Sequence, residues 1–206
     1  MLSDTTLELY NNGSTLLASN DDWKVPNAAT ISATGKAPHD DRESAIVMTL
    51  APGSYTAIVR GKNNSTGVSL VEVYDLDQTV NSKFRNISTR GVLTAANAMI
   101  GGFIVQGDQS QKVIVRALGP TLSQFNVPNA LADPVLTLAD ENGGVIASND
   151  DWQNTQAAEI QFSGFAPKNP KEPAIIATRP PGNTTAIVTG KNGTTGNALV
   201  EVYTLP

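Results

Sequence analysis

Several residue types that support particular functions are scarce in this 206-residue sequence. It has no cysteine and one histidine, which excludes disulfides, thiolate metal sites and cysteine nucleophiles and limits histidine-based catalysis. The net charge of −5 and the scattered lysines and arginines argue against nucleic acid as a partner. No apolar run approaches the roughly 20 residues that span a bilayer, so no membrane insertion is expected. The residues after Met1 are not a basic and then apolar segment, so no signal peptide is predicted in this chain.

Aromatic residues make up only 5% of the chain, and charged residues 16%. Apolar residues still reach 40%, because valine, isoleucine, leucine and alanine are common. This composition is typical of a globular protein with an aliphatic core rather than of a disordered one.

An internal repeat is the strongest signal in the sequence. Residues 2–77 align without a gap with residues 131–206, at a constant offset of 129, and just under half of the aligned positions are identical. The longest matches pair Ala18–Trp23 with Ala147–Trp152 and Leu70–Tyr74 with Leu199–Tyr203. Loops and apolar positions keep the same register, which predicts two copies of one structural unit.

The segment between the copies carries strand signals of its own. Two apolar runs, Ala98–Gln106 and Lys112–Leu118, flank a Gly-Asp-Gln-Ser turn, and Asn86–Gly91 is a candidate third strand. We therefore predict a first repeat at 1–77 that lacks its N-terminal strands, and a complete second repeat at 78–206. In the alternative division, residues 79–125 complete the first repeat.

Within each copy the pattern is that of short strands separated by glycine, proline, asparagine and aspartate. In the first copy the predicted strands are Leu7–Leu9, Thr15–Ala18, Ile31–Ala33, Ala45–Leu50, Ser54–Arg60 and Ser69–Leu76. Helical turns are allowed at Pro26–Ala33 and Thr94–Ala98. The spacing predicts an all-β fold of tandem, jelly-roll-like β-sandwich repeats with short antiparallel strands.

Three motifs give the chain a resemblance to a known family. Leu7–Tyr10 is followed by the turn-forming run Leu17–Asp22 and by Pro52–Val59, with the sequence Pro-Gly-Ser-Tyr-Thr-Ala-Ile-Val. This order resembles the bacterial pre-peptidase C-terminal domain, and the phrases at 86–91, 99–103 and 116–120 are similar to tandem repeats of large exported bacterial proteins. The resemblance implies a non-catalytic β-sandwich module that is secreted or on the cell surface.

Two acidic turns are candidate metal sites. Carboxylate and amide oxygens within one turn are the hard ligands that calcium takes. The candidate ligands are Asn20, Asp21 and Asp22 in the first copy and Asn149, Asp150 and Asp151 in the second. Glu43 and Glu172, which recur at the same offset, are candidates for a further carboxylate. In the alternative interpretation, these side chains only cap backbone groups of the turn.

The tryptophans Trp23 and Trp152 follow these turns and have two interpretations. An exposed indole is a platform for a sugar ring and would make these residues ligand-binding, with extracellular glycan as the partner. A tryptophan repeated in an aromatic-poor chain is also typical of a buried anchor of the unit.

A repeated lysine and a repeated glutamate form a further candidate pair. Lys62 with Glu72, and Lys191 with Glu201, are expected on or beside neighbouring strands. Their simplest interpretation is a cross-strand ion pair. A lysine–asparagine isopeptide bond assisted by the carboxylate is the alternative.

Catalytic motifs are lacking, and His39 of the first copy is Lys168 in the second. We therefore predict a non-catalytic extracellular module for binding, adhesion or structural display, which contacts other repeats of the chain or neighbouring subunits. One alternative is a subunit of an extracellular fibre assembled by strand sharing. The other is a small carboxylate-dependent hydrolase.

Overall fold

A computed structural model of the protein describes residues 1–77, 79 and 83–206, and these residues form two compact units. The first unit is Met1–Lys83 and the second is Phe84–Pro206. Regular structure in both is mostly antiparallel β-sheet, with helices of at most six residues in the described part of the chain. Among these residues no helix has the length and apolarity to cross a membrane.

The first unit contains one three-stranded sheet. Its elements are β1 (Thr5–Asn11), β2 (Leu16–Asn20), α1 (Ala28–Ala33) and β3 (Tyr55–Gly61). The strand order is β2-β1-β3, so that β1 is central and β3 lies at an edge. Residues 45–50 and 65–77, which the structure describes, form no strand.

The second unit is a β-sandwich of two four-stranded sheets. Its elements are β4 (Asn86–Leu93), β5 (Met99–Val105), β6 (Gln111–Leu118), β7 (Pro134–Asp140), β8 (Val145–Asn149), α2 (Ala157–Phe162), β9 (Ala174–Arg179), β10 (Gly182–Gly190) and β11 (Gly196–Thr204). One sheet has the order β5-β10-β7-β8 and the other β4-β11-β6-β9.

The core of the second unit lies between these sheets because the strands alternate apolar and polar residues. On β7, for example, Leu136 and Leu138 are fully buried, and Val188 of β10 joins the same cluster. A smaller cluster beside the second sheet includes Trp152, Ile160 of α2 and Ile114 of β6. Apolar surface is thus removed from water on both faces of the sheet that contains β6.

The structure confirms the predicted all-β fold with short antiparallel strands. The strand predicted at Ile31–Ala33 is wrong, because these residues end helix α1 and place Ile31 in the interior. The strands predicted at Ala45–Leu50 and Ser69–Leu76 are also not formed, since the described residues of the first unit form no second sheet for them to join. Residues 94–98 form a turn closed by a Thr94–Asn97 bridge rather than a helical turn.

The strands of the intervening segment pair inside the second unit. Strand β5 pairs with β10, while β4 and β6 pair with the two edges of β11. Strand β9 pairs with the other edge of β6. The alternative in which residues 79–125 complete the first repeat is therefore wrong for this structure.

The two units share one plan as far as the first unit extends. At the offset of 129, β1, β2, α1 and β3 correspond to β7, β8, α2 and β10, and the strand orders agree. Residues 45–50 and 67–75 correspond to β9 and β11. The first unit thus holds one sheet of the sandwich, without the equivalent of β5 at its edge.

Candidate functional site

Each unit gathers three aspartates at one end of its first sheet. Asp133 precedes β7, and Asp150 and Asp151 follow β8, which runs antiparallel to β7 and so ends beside its start. One carboxylate oxygen of each residue lies within 4.8 Å of the others. We call Asp133, Asp150 and Asp151 the second-unit cluster and the equivalent Asp4, Asp21 and Asp22 the first-unit cluster.

A lysine enters each cluster from the strand on the other side. Lys191 follows β10, and its backbone N–H donates to the Asp133 carbonyl at 2.8 Å. The bend after β10 needs glycine at 190, because a Cβ there would collide with the carbonyl oxygen of Thr194. The Lys191 ammonium forms an ion pair with Asp150, and that hydrogen bond raises the pKa of Lys191.

The first-unit cluster repeats this arrangement. Lys62 Nζ lies 2.7 Å from Asp21 Oδ2 and 3.9 Å from Asp4 Oδ2. The hydrogen bond to Asp21 raises the pKa of Lys62. Each cluster therefore combines three carboxylates with one lysine ammonium group that lies beside them.

Carboxylate oxygens in both clusters are suitable donors for a divalent cation. Oδ1 of Asp133 and Oδ1 of Asp150 are buried and, among the described residues, have no hydrogen-bond partner. The same holds for Oδ1 of Asp4 and Oδ1 of Asp21. Oxygen donors of this type fit calcium, but the lysine ammonium would share the cluster with any bound ion.

The two predicted asparagine ligands serve the backbone instead. Asn149 is buried, and its Oδ1 accepts from the Ala174 N–H at 3.0 Å while its Nδ2 donates to the Asp151 carbonyl. Asn20 does the same with the Ala45 N–H and the Asp22 carbonyl. Their side chains therefore tie the acidic turn to the following segment, as the capping interpretation predicts. Asp4 and Asp133 take their places in the clusters.

The third aspartate of each cluster was missed by reasoning from the sequence. Asp4 and Asp133 lie far from the acidic turns along the chain, and strand pairing brings them there. Their signal was the repeat itself, because an aspartate recurs at this position in both copies.

Both tryptophans are buried, so the prediction that they form a sugar-binding platform is wrong. Trp23 and Trp152 are each 7% exposed. The Trp23 indole donates from Nε1 to the Asp40 carbonyl at 3.2 Å, and Trp152 packs with Ile160 and Leu205. Both residues act as anchors of their units.

The repeated glutamates have different partners from those expected. Lys191 pairs with Asp150, whereas Glu201 pairs with Arg116 of β6, whose Nε lies 2.5 Å from Glu201 Oε2. Neither a Lys191–Glu201 nor a Lys62–Glu72 ion pair is formed among the described residues. The expected cross-strand pair is wrong because the lysines turn toward the aspartates at the end of the sheet.

Tyr203 completes the Arg116–Glu201 contact. Its hydroxyl donates to Glu201 Oε1 at 2.9 Å and accepts from Arg116 Nη2 at 3.3 Å. Burial, and then the nearby Glu201 carboxylate, raise the pKa of Tyr203. The ring stacks on Phe165 with centroids 4.3 Å apart.

Glu172 is fully buried and holds the loop after β6. Its Oε1 accepts from the backbone N–H groups of Gly119 and Thr121 at 3.1 and 2.8 Å, and its Oε2 accepts from the Thr121 hydroxyl at 2.7 Å. It is therefore a structural carboxylate rather than a ligand of the aspartate cluster. The equivalent Glu43 is exposed and accepts from the Asp40 N–H.

Comparison with known proteins finds no matching family model and no matching curated protein. Among solved structures, the pre-peptidase C-terminal domain of a collagenase from Bacillus anthracis matches with a TM-score of 0.37 and 12% identity. That match covers 57% of this chain and 88% of the collagenase domain. A structure of infectious bursal disease virus, Gt strain, has a TM-score of 0.17 and 10% identity over 98% of this chain and 56% of the viral one. Neither resemblance identifies a ligand or an activity.

Proposed function

We propose that the chain is a non-catalytic β-sandwich repeat module for structural display, attachment or adhesion on a secreted or surface protein. One observation supports this proposal most directly. In the complete second unit, the repeated charged residues hold the fold together. Glu172 binds a loop, Glu201 binds Arg116, and Asp150 binds Lys191.

The carboxylate-dependent hydrolase is the weaker candidate. The aspartate clusters bring carboxylate oxygens within 4.8 Å of one another, as a hydrolytic carboxylate pair would require. In each of them a lysine ammonium is ion-paired with one carboxylate, which is therefore not free to act on a substrate. We therefore favour a structural role for these charges.

Calcium binding at the two clusters stays a prediction. The buried carboxylate oxygens support calcium binding, whereas the lysine ammonium beside them would compete with a calcium ion for these oxygens. An ion bound there would join the start of one strand to the end of the neighbouring strand and would serve the same structural role. It would therefore add to the proposed function rather than replace it.

The proposal is tested by screening the full chain against ester, peptide and glycoside substrates and on a glycan array. We expect no turnover, and a retained glycan would name a target for attachment or adhesion. The matched control changes both clusters, with Asp4, Asp21, Asp133 and Asp150 all replaced by asparagine. Turnover that persists in this variant does not come from the aspartate clusters and points to a contaminant, whereas turnover that the variant abolishes would overturn the non-catalytic assignment.

A further inference from the structure

We propose that the first unit is an acceptor for a strand block supplied by a further repeat. The inference rests on the proposed role as a repeat module and names its partner. By strand block we mean a segment of the type formed by residues 86–125, with β4, β5, β6 and the 3₁₀ turn Pro120–Phe125. By acceptor surface we mean residues 43–50, residues 67–76 and the free edge of β3.

Apolar side chains on the acceptor surface are exposed although their equivalents in the second unit are buried. Val71 is 44% exposed, and its equivalent Val200 is 2% exposed. Three further pairs show the same contrast: Val73 with Val202 (50% and 8%), Leu76 with Leu205 (52% and 8%), and Val47 with Ile176 (39% and 6%). A row of exposed valine and leucine side chains indicates a surface that another element covers.

The backbone of the acceptor surface also lacks the pairing found in the second unit. Strand β11 lies between β4 and β6, and β9 pairs with β6. The equivalent residues 67–75 and 45–50 form no ladder, although the structure describes them all. In the part of the chain that the structure describes, β3 pairs with β1 alone, whereas β10 pairs with both β7 and β5. Every pairing partner that these segments lack corresponds to a strand of the strand block.

Glu43 indicates what the turn of the strand block must offer. Its equivalent Glu172 also binds the N–H of the residue three positions before it, since Asn169 donates to Glu172 and Asp40 donates to Glu43. The remaining donors to Glu172 come from Gly119 and Thr121 of the strand block. Glu43 is thus oriented as in the second unit but lacks these donors.

Glu72 indicates a cation at a defined position of the strand block. The hydroxyl of Tyr74 donates to Glu72 Oε1 at 2.9 Å, as Tyr203 does to Glu201. Arg116 of the strand block completes the second arrangement. Glu72 and Glu43 therefore give the acceptor surface two negative charges that match an arginine and a pair of N–H donors.

A second copy of this chain is a poorer occupant than a further repeat. Each chain carries one strand block and two regions that can accept it. In the second unit all three strands of the block are already paired, β4 with β11, β5 with β10, and β6 with β9 and β11. If this block paired with another molecule, the second unit would lose the strand pairing that the other molecule gained. We therefore infer that the occupant is a block from a further repeat.

The test is to place a strand block directly ahead of the first unit. Residues 84–130 are joined to Leu2 of the full chain, since Leu2 aligns with Leu131 and the natural spacing is kept. Hydrogen exchange with mass spectrometry then follows residues 43–50 and 67–76. We expect exchange there to slow by about 100-fold or more, because these amides would join a sheet that opens only with the unit. Residues 196–204 report on the second unit and should not change.

The control carries Arg116→Glu and Thr121→Val in the added block only. It keeps the length and most of the apolar surface but opposes Glu72 and removes a donor to Glu43, so most of the gained protection should be lost. Unchanged exchange in the fused chain, or equal protection with the control block, would overturn the proposal.

Light scattering of the unfused chain distinguishes the other occupant. A dimer that protects residues 67–76 would show that a second copy fills the surface and would overturn the inferred source. These outcomes are independent of the proposed function, which fails instead if the unfused chain turns over a substrate.

Discussion

The carboxylate of Glu172 accepts the hydroxyl hydrogen of Thr121 at 2.7 Å, and this contact joins the start of β9 to the loop after β6. Glu43 occupies the same position of the repeat and is exposed. Glu172 and Glu43 thus allow the same repeat position to be compared in a complete and in an incomplete unit.

Glu172→Ala should destabilise the second unit by about 3 kcal/mol, because it leaves three buried donors without an acceptor. Glu43→Ala, the matched control, should change the free energy of unfolding by less than about 0.5 kcal/mol, as is usual for exposed positions. Urea unfolding followed by peptide-resolved hydrogen exchange assigns each change to its unit. Equal effects of the two variants would contradict the comparison.

The Arg116–Glu201–Tyr203 contact predicts opposite shifts in an alkaline titration. Glu201 raises and Arg116 lowers the pKa of Tyr203. Glu201→Gln should therefore move the tyrosinate absorbance transition to lower pH, and Arg116→Met should move it to higher pH. Tyr203→Phe identifies which transition belongs to this residue. Shifts in the same direction for both variants would contradict the contact.

The raised pKa of Tyr203 also sets the sign of a pH effect on stability. The unfolded chain releases this proton near the ordinary value of 10.0, and the folded protein releases it only at higher pH. The stabilisation is therefore complete below that value and is lost as the pH rises through the folded pKa. The unfolding free energy of Tyr203→Phe should fall less steeply in this range than that of the unmodified protein.

Limited proteolysis should cleave the first unit faster than the second. Brief digestion is expected to cleave within residues 43–54 and 65–77, where the chain is mostly exposed and forms no ladder, while β9 and β11 stay intact. Mass spectrometry of the early fragments gives the cleavage sites. Equal resistance of residues 67–75 and 196–204 would show that the first unit is closed.

Calcium should raise the melting temperature relative to a chelator. Ligands that bind only the folded state add stability by mass action, about 2.7 kcal/mol at a hundredfold excess over Kd. Asp150→Asn should reduce the shift, whereas Lys191→Met should increase it by removing the competing ammonium. Identical midpoints with calcium and chelator in all three proteins would leave the clusters as lysine–aspartate contacts.

Burial of Trp23 and Trp152 predicts slow quenching of tryptophan fluorescence by acrylamide. Added glycans should leave the emission unchanged, since neither indole faces solvent. Denatured protein serves as the fully exposed reference. Quenching in the folded protein at the denatured rate would contradict the buried positions.

The gapless alignment of the two copies was the basis for most of what could be predicted from the sequence. Gapless alignment kept strands and turns in phase, and it singled out Trp23, Trp152 and the acidic turns correctly as shared features. It could not tell a buried indole from an exposed one, because burial depends on which elements pack over residue 152.

Predictions from local pattern failed where pairing partners decide the structure. Ser69–Leu76 has the same strand pattern as β11, yet it forms no strand, because a strand needs neighbours for its hydrogen bonds. Ile31–Ala33 was short enough to fit a strand or a helical turn, and packing of Ile31 selected the helix.

The position of β11 in the second unit has a consequence for folding during synthesis. It is the last strand of the unit, and it lies between β4, the first, and β6. Until residues 196–204 have left the ribosome, β11 cannot connect β4 to β6. Strand β4 therefore stays unpaired while the rest of the unit is made. Contacts over such sequence separations fold slowly. We therefore expect the second unit to complete its fold late and in one cooperative step, when β11 pairs with its neighbours.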